Sequence, residues 1–310
     1  MAPDPARPER GRFVRDQVAA LARLEGVEVT LHEFPPGAAS LASEAAKVRR
    51  RLASPPGTGT QRWDVVHAHF GLTAWPALAV RARCRALTVH GTDVHHPRTR
   101  LATAAVLPLI DLLAAASPAL AAELPTRRAR RRCQVLPCGV DVERFHPMQR
   151  SQARSALGLE PEQPYLLFPA DPARTGKRHD LALALSRSAG IPLLTLGGVP
   201  PEEVALHVNA ANAVIITSDS EGFGLAALEA LACDVPVLAT PVGIHAEALA
   251  PVAGTLCERF DLRRWREALA PHLIDPDPRV AGRASAERFS AAHMAARVRD
   301  AWQLTLARSG

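Results

Sequence analysis

The stretch SDSEGFGLAALEALACDVPV, residues 218–237, decides the fold of the second half of this 310-residue chain. An apolar run over residues 213–217 predicts a buried strand, a Gly-x-Gly turn follows at residues 222–224, and the next residues have the spacing of a helix to residue 232. At such a junction the free N–H groups of the first helical turn and the positive end of the helix dipole face the same point. The stretch therefore predicts an anion seat suited to phosphate.

Two glutamates flank this turn, and their positions predict different roles. The helix carries Glu229 roughly 7 to 8 Å beyond Gly224, where its carboxylate can accept hydrogen bonds from ribose hydroxyls. Glu221 ends the strand and faces the sugar side of a diphosphate seated at the helix start. In the alternative reading, Glu221 caps the turn and Glu229 is an exposed helix carboxylate. The residues predicted to bind a nucleoside diphosphate are Gly222, Phe223, Gly224, Leu225 and Glu229.

Predicted strands and helices alternate along the rest of the chain, which is typical of parallel sheets covered by helices on both faces. The predicted strands span residues 27–31, 64–69, 86–90, 113–116, 134–136, 165–168, 192–196, 213–217 and 236–239. Predicted helices lie between them and include residues 13–24, 41–52, 72–83, 101–115, 118–123, 180–188 and 201–211. A last amphipathic helix over residues 291–308 has four candidate buried contacts, Met294, Val298, Trp302 and Leu304.

The chain length fits two Rossmann-like α/β domains of roughly 150 residues each. We expect the two domains to face each other across a cleft. The predicted boundaries are residues 1–142 for the first domain and 143–290 for the second, and we expect the helix over residues 291–310 to pack back toward the first domain.

Composition excludes several classes of protein. The formal net charge is +6, yet lysine occurs only at Lys47 and Lys177, and the basic residues are dispersed. Aromatic residues make up only 4% of the chain, so stacking on nucleic-acid bases is not expected. The densest basic run, residues 127–132, reads as a solvated loop, or alternatively as a contact with a membrane surface or an anionic acceptor.

Cysteine usage and apolar runs bear on the compartment. The five cysteines include no C-x-x-C pair, which predicts neither a disulfide framework nor a zinc site. The sequence offers no signal peptide and no apolar run of membrane-spanning length. These features predict a cytoplasmic protein, with the inner face of the membrane as a second location.

Histidines mark the ends of two predicted strands in the first half. His67 and His69 are two residues apart on one strand and share a face, which is the arrangement of a metal pair. No third ligand presents itself, so packing and loop hydrogen bonds are the favoured reading. His90 and Asp93 follow the next strand in the segment VHGTD, residues 89–93. We predict neither a metal ion nor a cofactor.

The segment from Glu221 to Glu229 resembles the E-x7-E segment of retaining GT-B glycosyltransferases of family 4, and the likeness extends over nearly the whole chain. The resemblance implies that Glu221 contacts the transferred sugar and Glu229 the nucleotide ribose. The segment ADPARTGKR, residues 170–178, is similar to the basic loop of this family. It implies that Arg174 and Lys177 neutralise the donor diphosphate, although the glycine-arginine pair that commonly opens this loop is absent.

Further segments carry the same resemblance. VHGTD is similar to the H-G-[ST]-D segment of the family, which implies that His90 hydrogen-bonds the sugar and that Asp93 positions the acceptor or a cation. PCGVDVERFHP, residues 137–147, resembles the family's linker, with Cys138 where asparagine is usual. Gly197 and Gly198 end a strand where the family places the nucleotide base beside the backbone.

The amino terminus departs from the family pattern. Residues 1–10 contain three prolines and no apolar run, so no first strand can be drawn from them. Of the glycine-rich turn that follows this strand in the family, only Gly11 remains, on the acceptor side. Either the start codon was placed too late or the chain lacks a central strand, and the first explanation is favoured because Met1 falls where the family has the loop after that strand.

The resemblance implies transfer of a hexose-like sugar from a nucleoside diphosphate to a hydroxyl of a saccharide, lipid-linked or small-molecule acceptor. Retention of configuration and independence of metal ions are implied with it. Two alternatives stay open, which are a nucleotide-sugar-binding protein without turnover and a nucleotide-sugar epimerase. A phosphorylase that uses pyridoxal phosphate is disfavoured because neither lysine lies in a suggestive context.

Overall fold

The structure, a computed structural model, describes residues 11–34, 38–53 and 62–309. These residues form two compact units. Unit 1 comprises residues 11–139 and 292–309, and unit 2 comprises residues 140–291. Each unit is built on one parallel sheet with helices between its strands, which confirms the predicted α/β fold with two Rossmann-like domains.

Unit 1 has a four-stranded parallel sheet in the order β1-β2-β3-β4. Its strands are β1 (Trp63–His69), β2 (Ala82–Val89), β3 (Leu112–Ala115) and β4 (Gln134–Val135). Its helices are α1 (Arg12–Leu21), α2 (Ala38–Arg51), α3 (Gly71–Ala77), α4 (Thr92–His95), α5 (Pro97–Val106), α6 (Pro118–Ala122) and α7 (Arg127–Arg132), with a 3-10 turn at Leu107–Leu109. The core of the sheet is β2 and β3, where Leu87, Val89 and Leu113 are fully or almost fully buried.

Unit 2 has a five-stranded parallel sheet in the order β6-β5-β7-β8-β9. Its strands are β5 (Leu166–Phe168), β6 (Leu193–Thr195), β7 (Ala213–Ile216), β8 (Val237–Ala239) and β9 (Leu256–Cys257). Its helices are α8 (Arg150–Ala156), α9 (His179–Ala189), α10 (Val204–Ala210), α11 (Leu225–Ala232), α12 (His245–Leu249), α13 (Leu262–Ile274) and α14 (Arg283–Glu287), with a 3-10 turn at Thr175–Lys177. The last helix, α15 (Ala291–Ser309), returns the chain to unit 1.

Buried arginines fasten the start of unit 2 to its sheet. Arg150 and Arg154 on α8 are almost fully buried, and their guanidinium groups donate to the Ala211 and Ala210 carbonyls at 3.0 Å each. Arg283 on α14 donates to the Val142 carbonyl at 3.0 Å. Because a guanidinium carries five donors, one side chain can satisfy several loop carbonyls, and these arginines therefore position loops instead of facing a partner.

A cavity of about 1080 Å³ lies beside β1 in unit 1. It is lined by residues of α1, by the chain over residues 26–34, by all of β1 and by α15. Among the described residues, β1 pairs with β2 alone. Four of the seven β1 residues that line the cavity are apolar or small, namely Trp63, Val65, Val66 and Ala68.

The predicted strand over residues 27–31 is wrong, because the chain there has no regular structure. Its apolar residues alternate as a strand requires, but a strand also requires a neighbour for its N–H and C=O groups. Within residues 11–34, 38–53 and 62–309 no strand lies beside this segment. The expectation about a first strand falls on residues 1–10, which lie outside the described residues.

Two helix predictions in unit 1 ran too far along the chain. The helix predicted over residues 72–83 ends at Ala77, and β2 begins at Ala82 with alternate burial, so that Cys84 is buried and Arg83 exposed. The helix predicted over residues 101–115 ends at Val106. Pro108 lies in the 3-10 turn that follows, and the fully buried strand β3 takes the remaining residues.

The basic run is helix α7 and not a solvated loop. The Thr126 hydroxyl caps the helix by accepting from the Ala129 N–H at 3.1 Å. Arg132 donates to the Ile110 carbonyl at 2.6 Å, so part of the run serves internal packing. In α15, Met294 and Val298 are buried as expected.

One predicted core contact of α15 is wrong. Leu304 is 58% exposed, whereas Val298 and Ala301 are buried. Leu304 is six positions after Val298, which places it about 120° around the helix from that buried residue. No described helix is both long and apolar enough to cross a bilayer.

Candidate functional site

Three loops of unit 2 meet at the carboxyl edge of its sheet. The loop after β5 joins the loop after β7, because the Asp219 N–H donates to the Gly176 carbonyl at 3.0 Å and the Thr217 hydroxyl donates to the Lys177 carbonyl at 3.0 Å. The loop after β8 joins them through the Thr240 hydroxyl, which donates to the Ser218 carbonyl at 2.6 Å. In open α/β sheets this edge is where ligands bind.

A close ion pair occupies this edge. The Lys177 ammonium donates to both Glu221 oxygens, at 2.5 and 2.6 Å, and the Ser218 hydroxyl donates to the same carboxylate at 2.7 Å. Burial alone would raise the pKa of Glu221, but the Lys177 charge and these hydrogen bonds hold the pKa below its usual value. Glu221 is therefore an ionised hydrogen-bond acceptor at neutral pH.

The glycine turn beside this pair admits no larger side chains. Gly224 precedes α11 with a φ of 108°, a conformation that favours glycine. A Cβ on Gly224 would lie 2.6 Å from the His245 Nε2 atom, and a Cβ on Gly243 would lie 2.2 Å from the Phe223 carbonyl oxygen. The turns at residues 222–224 and 242–245 are thus in close contact beside the start of α11. The first N–H groups of a helix have no partner within the helix and are available to a ligand there.

His245 was missed by sequence reasoning. It is fully buried, and its Nδ1 atom lies 2.9 Å from the Thr240 carbonyl, which can only accept, so Nδ1 carries the proton. Its buried Nε2 has no hydrogen-bond partner among the described residues and lies against Gly224. Burial lowers the pKa of His245. A histidine in a stretch with no motif gives no signal in the sequence, and only the close approach at Gly224 identifies it.

The three cations of the basic loop after β5 have different surroundings. Arg174 is exposed, Lys177 is engaged with Glu221, and Arg178 adopts a φ of 55° and pairs with Asp180 and Asp219. The expected pair Arg174 and Lys177 thus lies on one loop, with Arg178 as an additional cation that the sequence did not single out.

The other residues expected at the nucleotide lie on neighbouring elements. A Cβ on Gly197 would lie 3.1 Å from the Pro172 ring, which packs the loop after β6 against the basic loop. Gly198 beside it is exposed and has a φ of 76°. Glu229 is half-buried on α11 and has interactions of its own, so the alternative of a fully exposed helix carboxylate does not hold.

In unit 1 the carboxyl ends of β1 and β2 carry a stacked row of histidines. His67 stacks on His69 with ring centroids 4.8 Å apart, and His69 stacks on His90 at 5.2 Å. Phe13, two residues after Gly11 and near the start of α1, lies 4.5 Å from the His90 ring. Gly11 is buried with a φ of 73° and ends the turn into this helix.

Hydrogen bonds fix the tautomers of this row. The Trp302 indole N–H can only donate, and it lies 3.1 Å from His67 Nδ1, so the proton of neutral His67 is on Nε2, 2.8 Å from the Thr88 hydroxyl. The Gln17 amide lies 3.4 Å from His69 Nε2, and His69 Nδ1 lies 3.0 Å from His90 Nε2. With the Gln17 N–H as donor, His69 donates to His90, and His90 keeps its own proton on Nδ1.

Burial keeps the row neutral. Desolvation lowers the pKa of His67 to about 4, and desolvation with the charge of His67 lowers the pKa of His90 to about 3. The pKa of His69, which lies between them, is held well below its usual value by desolvation and by both neighbours. Among the residues that the structure describes, no group of three His, Cys, Asp or Glu side chains is arranged to hold a metal ion.

Asp93 is engaged within its own loop. It is 2% exposed, and its carboxylate accepts from the backbone N–H groups of His90, Gly91 and Gly71 at 2.9 to 3.3 Å. Burial raises the pKa of Asp93, although these hydrogen bonds oppose the effect. The side chain therefore positions the His90 loop, and its expected role toward an acceptor or a cation stays a prediction.

Comparisons with known proteins agree with the division of the chain into two units. The family model for "Glycosyltransferase Family 4" matches residues 4–144, and the model for "Glycosyl transferases group 1" matches residues 175–289. Among curated proteins, the D-inositol 3-phosphate glycosyltransferase of Mycobacterium marinum is 28% identical over 316 residues, covering 86% of this chain and 66% of the relative. That of Mycolicibacterium smegmatis is 29% identical over 283 residues, covering 74% and 65%. The chain thus spans about two thirds of the length of these relatives.

Solved structures share the fold. Sucrose-phosphate synthase from Thermosynechococcus elongatus superposes with a TM-score of 0.68 at 20% identity, covering 96% of this chain and 94% of the other. HepE of Anabaena, solved in complex with UDP and glucose, superposes with a TM-score of 0.69 at 16% identity, covering 97% and 98%.

Proposed function

Because the chain belongs to family 4 of the GT-B glycosyltransferases, we propose that it transfers a hexose-like sugar from a nucleoside diphosphate to an acceptor hydroxyl, with retention of anomeric configuration. The observation that carries the proposal is the Lys177–Glu221 ion pair beside the glycine turn at the start of α11. A cation, a carboxylate and free backbone N–H groups at one point suit a ligand that combines a diphosphate with a sugar.

The leaving diphosphate is the first group to stabilise. The turn over Gly222 and Gly224 offers N–H groups without side chains in the way, and Lys177 supplies a nearby positive charge. Exposed Arg174 on the same loop supplies a second charge. Fixed donors aimed at developing negative charge supply a large share of rate enhancement in many enzymes. These cations make a metal ion or an organic cofactor unnecessary, and EDTA is expected to leave activity unchanged.

The two glutamates divide the remaining contacts. The ionised Glu221 carboxylate is suited to accept hydrogen bonds from sugar hydroxyls and is unsuited to donate a proton as a general acid. Glu229 on α11 is the proposed acceptor for the ribose hydroxyls, and Gly197 with Gly198 offers backbone to the base. Phe223 and Leu225 complete the wall of the turn.

His90 is the proposed hydrogen-bond donor to the sugar. Its Nδ1 carries the proton if the Gln17–His69 chain is oriented as described, and its lowered pKa keeps the ring from becoming cationic. Asp93 supports this role by positioning the loop, and Gly11 lies on the acceptor side.

The names of the relatives guide the choice of substrates. The Mycobacterium marinum relative is named for D-inositol 3-phosphate, and HepE is solved with UDP and glucose. A small phosphorylated acceptor is therefore proposed alongside saccharide and lipid-linked acceptors. A cytoplasmic location is proposed, and Arg127, Arg128 and Arg131, exposed on α7, are the side chains offered to an anionic acceptor or to the inner face of the membrane.

The test is a screen of nucleoside diphosphate sugars, beginning with UDP-glucose, with release of the diphosphate and the anomeric configuration of the product as readouts. Glu221→Gln and Lys177→Ala are expected to lower kcat at least about a hundredfold, in the range seen when one stabilising donor is lost. Glu267→Gln is the matched control, because Glu267 is an exposed carboxylate on α13. Equal activity of all four forms, or an inverted product, would contradict the proposal.

A second candidate is a protein that binds the donor without turnover, and the cavity beside β1 favours it because unit 1 is loosely packed there. This candidate predicts calorimetric binding of UDP or UDP-glucose that Lys177→Ala weakens, with no product at any acceptor. Interconversion of sugars without an acceptor would instead identify an epimerase.

A further inference from the structure

One ring nitrogen of His245 is a buried polar atom without a partner. The side chain is fully buried, and within the described part of the chain its Nε2 atom makes no hydrogen bond. A buried polar atom in this state costs stability, and such atoms are rare in folded proteins. No step of the proposed transfer uses this atom, although it lies beside the proposed donor site.

The other ring nitrogen of His245 fixes its tautomer. Nδ1 lies 2.9 Å from the Thr240 carbonyl, which only accepts, so the neutral ring carries its proton on Nδ1 and a lone pair on Nε2. The Nε2 atom is directed at Gly224, because a Cβ on that glycine would lie 2.6 Å away. Since Gly224 has no side chain, Nε2 lies next to the backbone at the start of α11, where the donor diphosphate is proposed to bind.

Hydrogen bonds hold His245 in this place. The Thr240 residue that accepts from Nδ1 also donates through its hydroxyl to the Ser218 carbonyl at 2.6 Å, in the loop after β7. The Ile244 N–H, one residue before His245, donates to the Phe223 carbonyl at 2.8 Å. The loop after β8 is therefore joined to the glycine turn on both sides of the histidine, and a charge on the ring stays beside the turn.

Burial is the main reason that the pKa of His245 lies below its usual value. The hydrogen bond to Thr240 and the charge of Glu221, from the loop after β7, oppose this effect, and the charge of Lys177, from the 3-10 turn after β5, adds to it. Glu221 and Lys177 form an ion pair, so their fields at the ring partly cancel. The positive end of the α11 dipole also disfavours a charged ring. Without a bound anion, His245 is therefore neutral at pH 7.

A diphosphate at the glycine turn reverses this balance. An opposite charge within about 4 to 6 Å favours the charged form of a side chain and moves its pKa by about 1 to 3. A proton taken up by His245 enters at Nε2, because Nδ1 already carries one. The nitrogen that lacks a partner then becomes a positively charged donor beside a bound anion.

We propose that His245 is a positioning residue of the donor site, which takes up one proton from solvent at Nε2 when a nucleoside diphosphate sugar binds at the glycine turn. One N–H bond forms and no other bond changes. The imidazolium adds a positive charge to those of Lys177 and Arg174, and it does so only while the donor is bound. This inference rests on the proposed function, because it concerns the same donor site.

Calorimetry of donor binding tests the proposal. Binding of UDP-glucose, GDP-glucose and ADP-glucose is measured at pH 6.5 in PIPES and in bis-tris, two buffers with different enthalpies of ionisation. None of these donors titrates near pH 6.5, so the difference in heat counts the protons that the protein takes up. We expect uptake of about 0.5 to 1 proton per donor bound. The Kd should rise by up to about tenfold per pH unit as the pH rises through the pKa of liganded His245.

His245→Gln is the decisive variant, because an amide cannot take up a proton near neutral pH. We expect it to bind the donor without proton uptake, with a Kd at pH 6.5 at least about fivefold higher than that of the wild type. His272→Gln is the matched control. Burial also lowers the pKa of His272, and its ring also contacts a backbone carbonyl, that of Gly254 at 2.9 Å. His272 lies at the opposite edge of the sheet, beside Asn212 before β7, so this variant should keep the uptake.

The outcomes separate this proposal from the proposed function. Donor binding to the wild-type chain without proton uptake would overturn the role of His245 and leave the transferase proposal in place. Uptake that persists in His245→Gln would assign the proton to another histidine and would also overturn it. If none of the three donors binds, both proposals fail. The comparison of buffers needs no variant, so it decides the matter even where His245→Gln does not fold.

Discussion

The strands β5 and β1 both place apolar side chains in a parallel sheet, but in opposite environments. In unit 2, β5 lies between β6 and β7, and its residues Leu166, Leu167 and Phe168 are at most 1% exposed. In unit 1, β1 pairs with β2 alone within the described part of the chain, and Val65 and Val66 remain half-buried beside a cavity. The comparison teaches that the burial of an apolar residue in a parallel strand depends on the neighbours of that strand.

The two sheets also differ in the polar groups at their carboxyl edges. Unit 2 presents an ion pair, in which Lys177 lowers the pKa of Glu221 and keeps that carboxylate ionised. Unit 1 presents the row of His67, His69 and His90, which is kept neutral by burial. One edge therefore carries charged side chains and the other carries neutral rings.

Truncating one side chain in each of the two strands would test the difference in burial most directly. Leu167→Ala is expected to lower the free energy of unfolding by about 2 to 5 kcal/mol, because a fully buried side chain is lost in a closed layer. Val65→Ala, on the cavity side of β1, is expected to change it by less than about 1 kcal/mol. Urea unfolding measures both, with Leu87→Ala in the buried strand β2 as the control for unit 1. Equal losses at Leu167 and Val65 would show that the cavity is filled.

We expect a substitution at Gly224, in the glycine turn of unit 2, to have a larger effect than the same substitution at Gly176 in the basic loop. Gly224→Ala places a Cβ 2.6 Å from His245 Nε2 at a φ of 108°, and we expect it to destabilise unit 2 by about 1 to 3 kcal/mol and to weaken UDP binding. Gly176→Ala is the matched control, because a Cβ there meets nothing within 4 Å. Thermal unfolding and calorimetry measure the two effects. Similar behaviour of both variants would contradict the close packing of His245 under the turn.

Acid should weaken the two edges in different pH windows. Unfolded histidines bind protons near pH 6.5, whereas the folded pKa values of His67 and His90 are about 4 and 3, so the unfolded state binds more protons between these values. Their contribution to stability is complete above pH 6.5 and is lost progressively as the pH falls through about 4 for His67 and about 3 for His90. Glu221, whose pKa is lowered from 4.5, loses its contribution only below pH 4.5.

Hydrogen exchange of peptides from each sheet separates these windows. Peptides from β1 and β2 are expected to lose protection between pH 6.5 and 4.5 while peptides from β7 and α11 keep theirs, after correction for the intrinsic pH dependence of exchange. Simultaneous loss in both units would mean that the histidine row is not the acid-sensitive element.

The smallest effect is expected at the end of the histidine row. Trp302→Phe removes the indole N–H that donates to His67 Nδ1, and we expect a loss of about 1 kcal/mol in the free energy of unfolding. The pKa of His67 should rise, because the lost bond favoured the neutral ring. Trp75→Phe is the control, since Trp75 is 39% exposed and donates to the Ala102 carbonyl. NMR titration of His67 would decide, and an unchanged pKa would contradict the assigned tautomer.

Local sequence patterns predicted the strands of unit 2 well. A strand needs a neighbouring strand for its backbone hydrogen bonds, and each predicted strand in unit 2 has one. The strands predicted over residues 165–168, 192–196, 213–217 and 236–239 correspond to β5, β6, β7 and β8. The short strand β9 was not predicted, because two residues carry no periodicity. The same reasoning failed at residues 27–31, where the pattern is present but none of the strands that the structure describes lies beside it.

The candidate site shows a similar limit. The close approach of Lys177 and Glu221 joins residues 44 positions apart, and a family motif indicated both without indicating that they pair. His245 could not be predicted as a site residue. It approaches the glycine turn closely only because Gly224 has no Cβ, and this contact is visible only in the folded structure. Leu304 was wrongly predicted to be buried, because the helical period alone does not show which face of α15 packs against the rest of unit 1.

The return of α15 to unit 1 has a consequence for synthesis on the ribosome. The Trp302–His67 contact joins residues 235 positions apart, and all of unit 2 lies between them in the chain. At about 5 to 20 residues per second, the 163 residues from Gly139 to Trp302 take roughly 10 to 30 s to be translated. Unit 2, encoded second, is therefore available to fold in full before unit 1 receives its last helix. During that interval the apolar side of β1 is exposed, so nascent unit 1 is the part of the polypeptide that chaperones should engage.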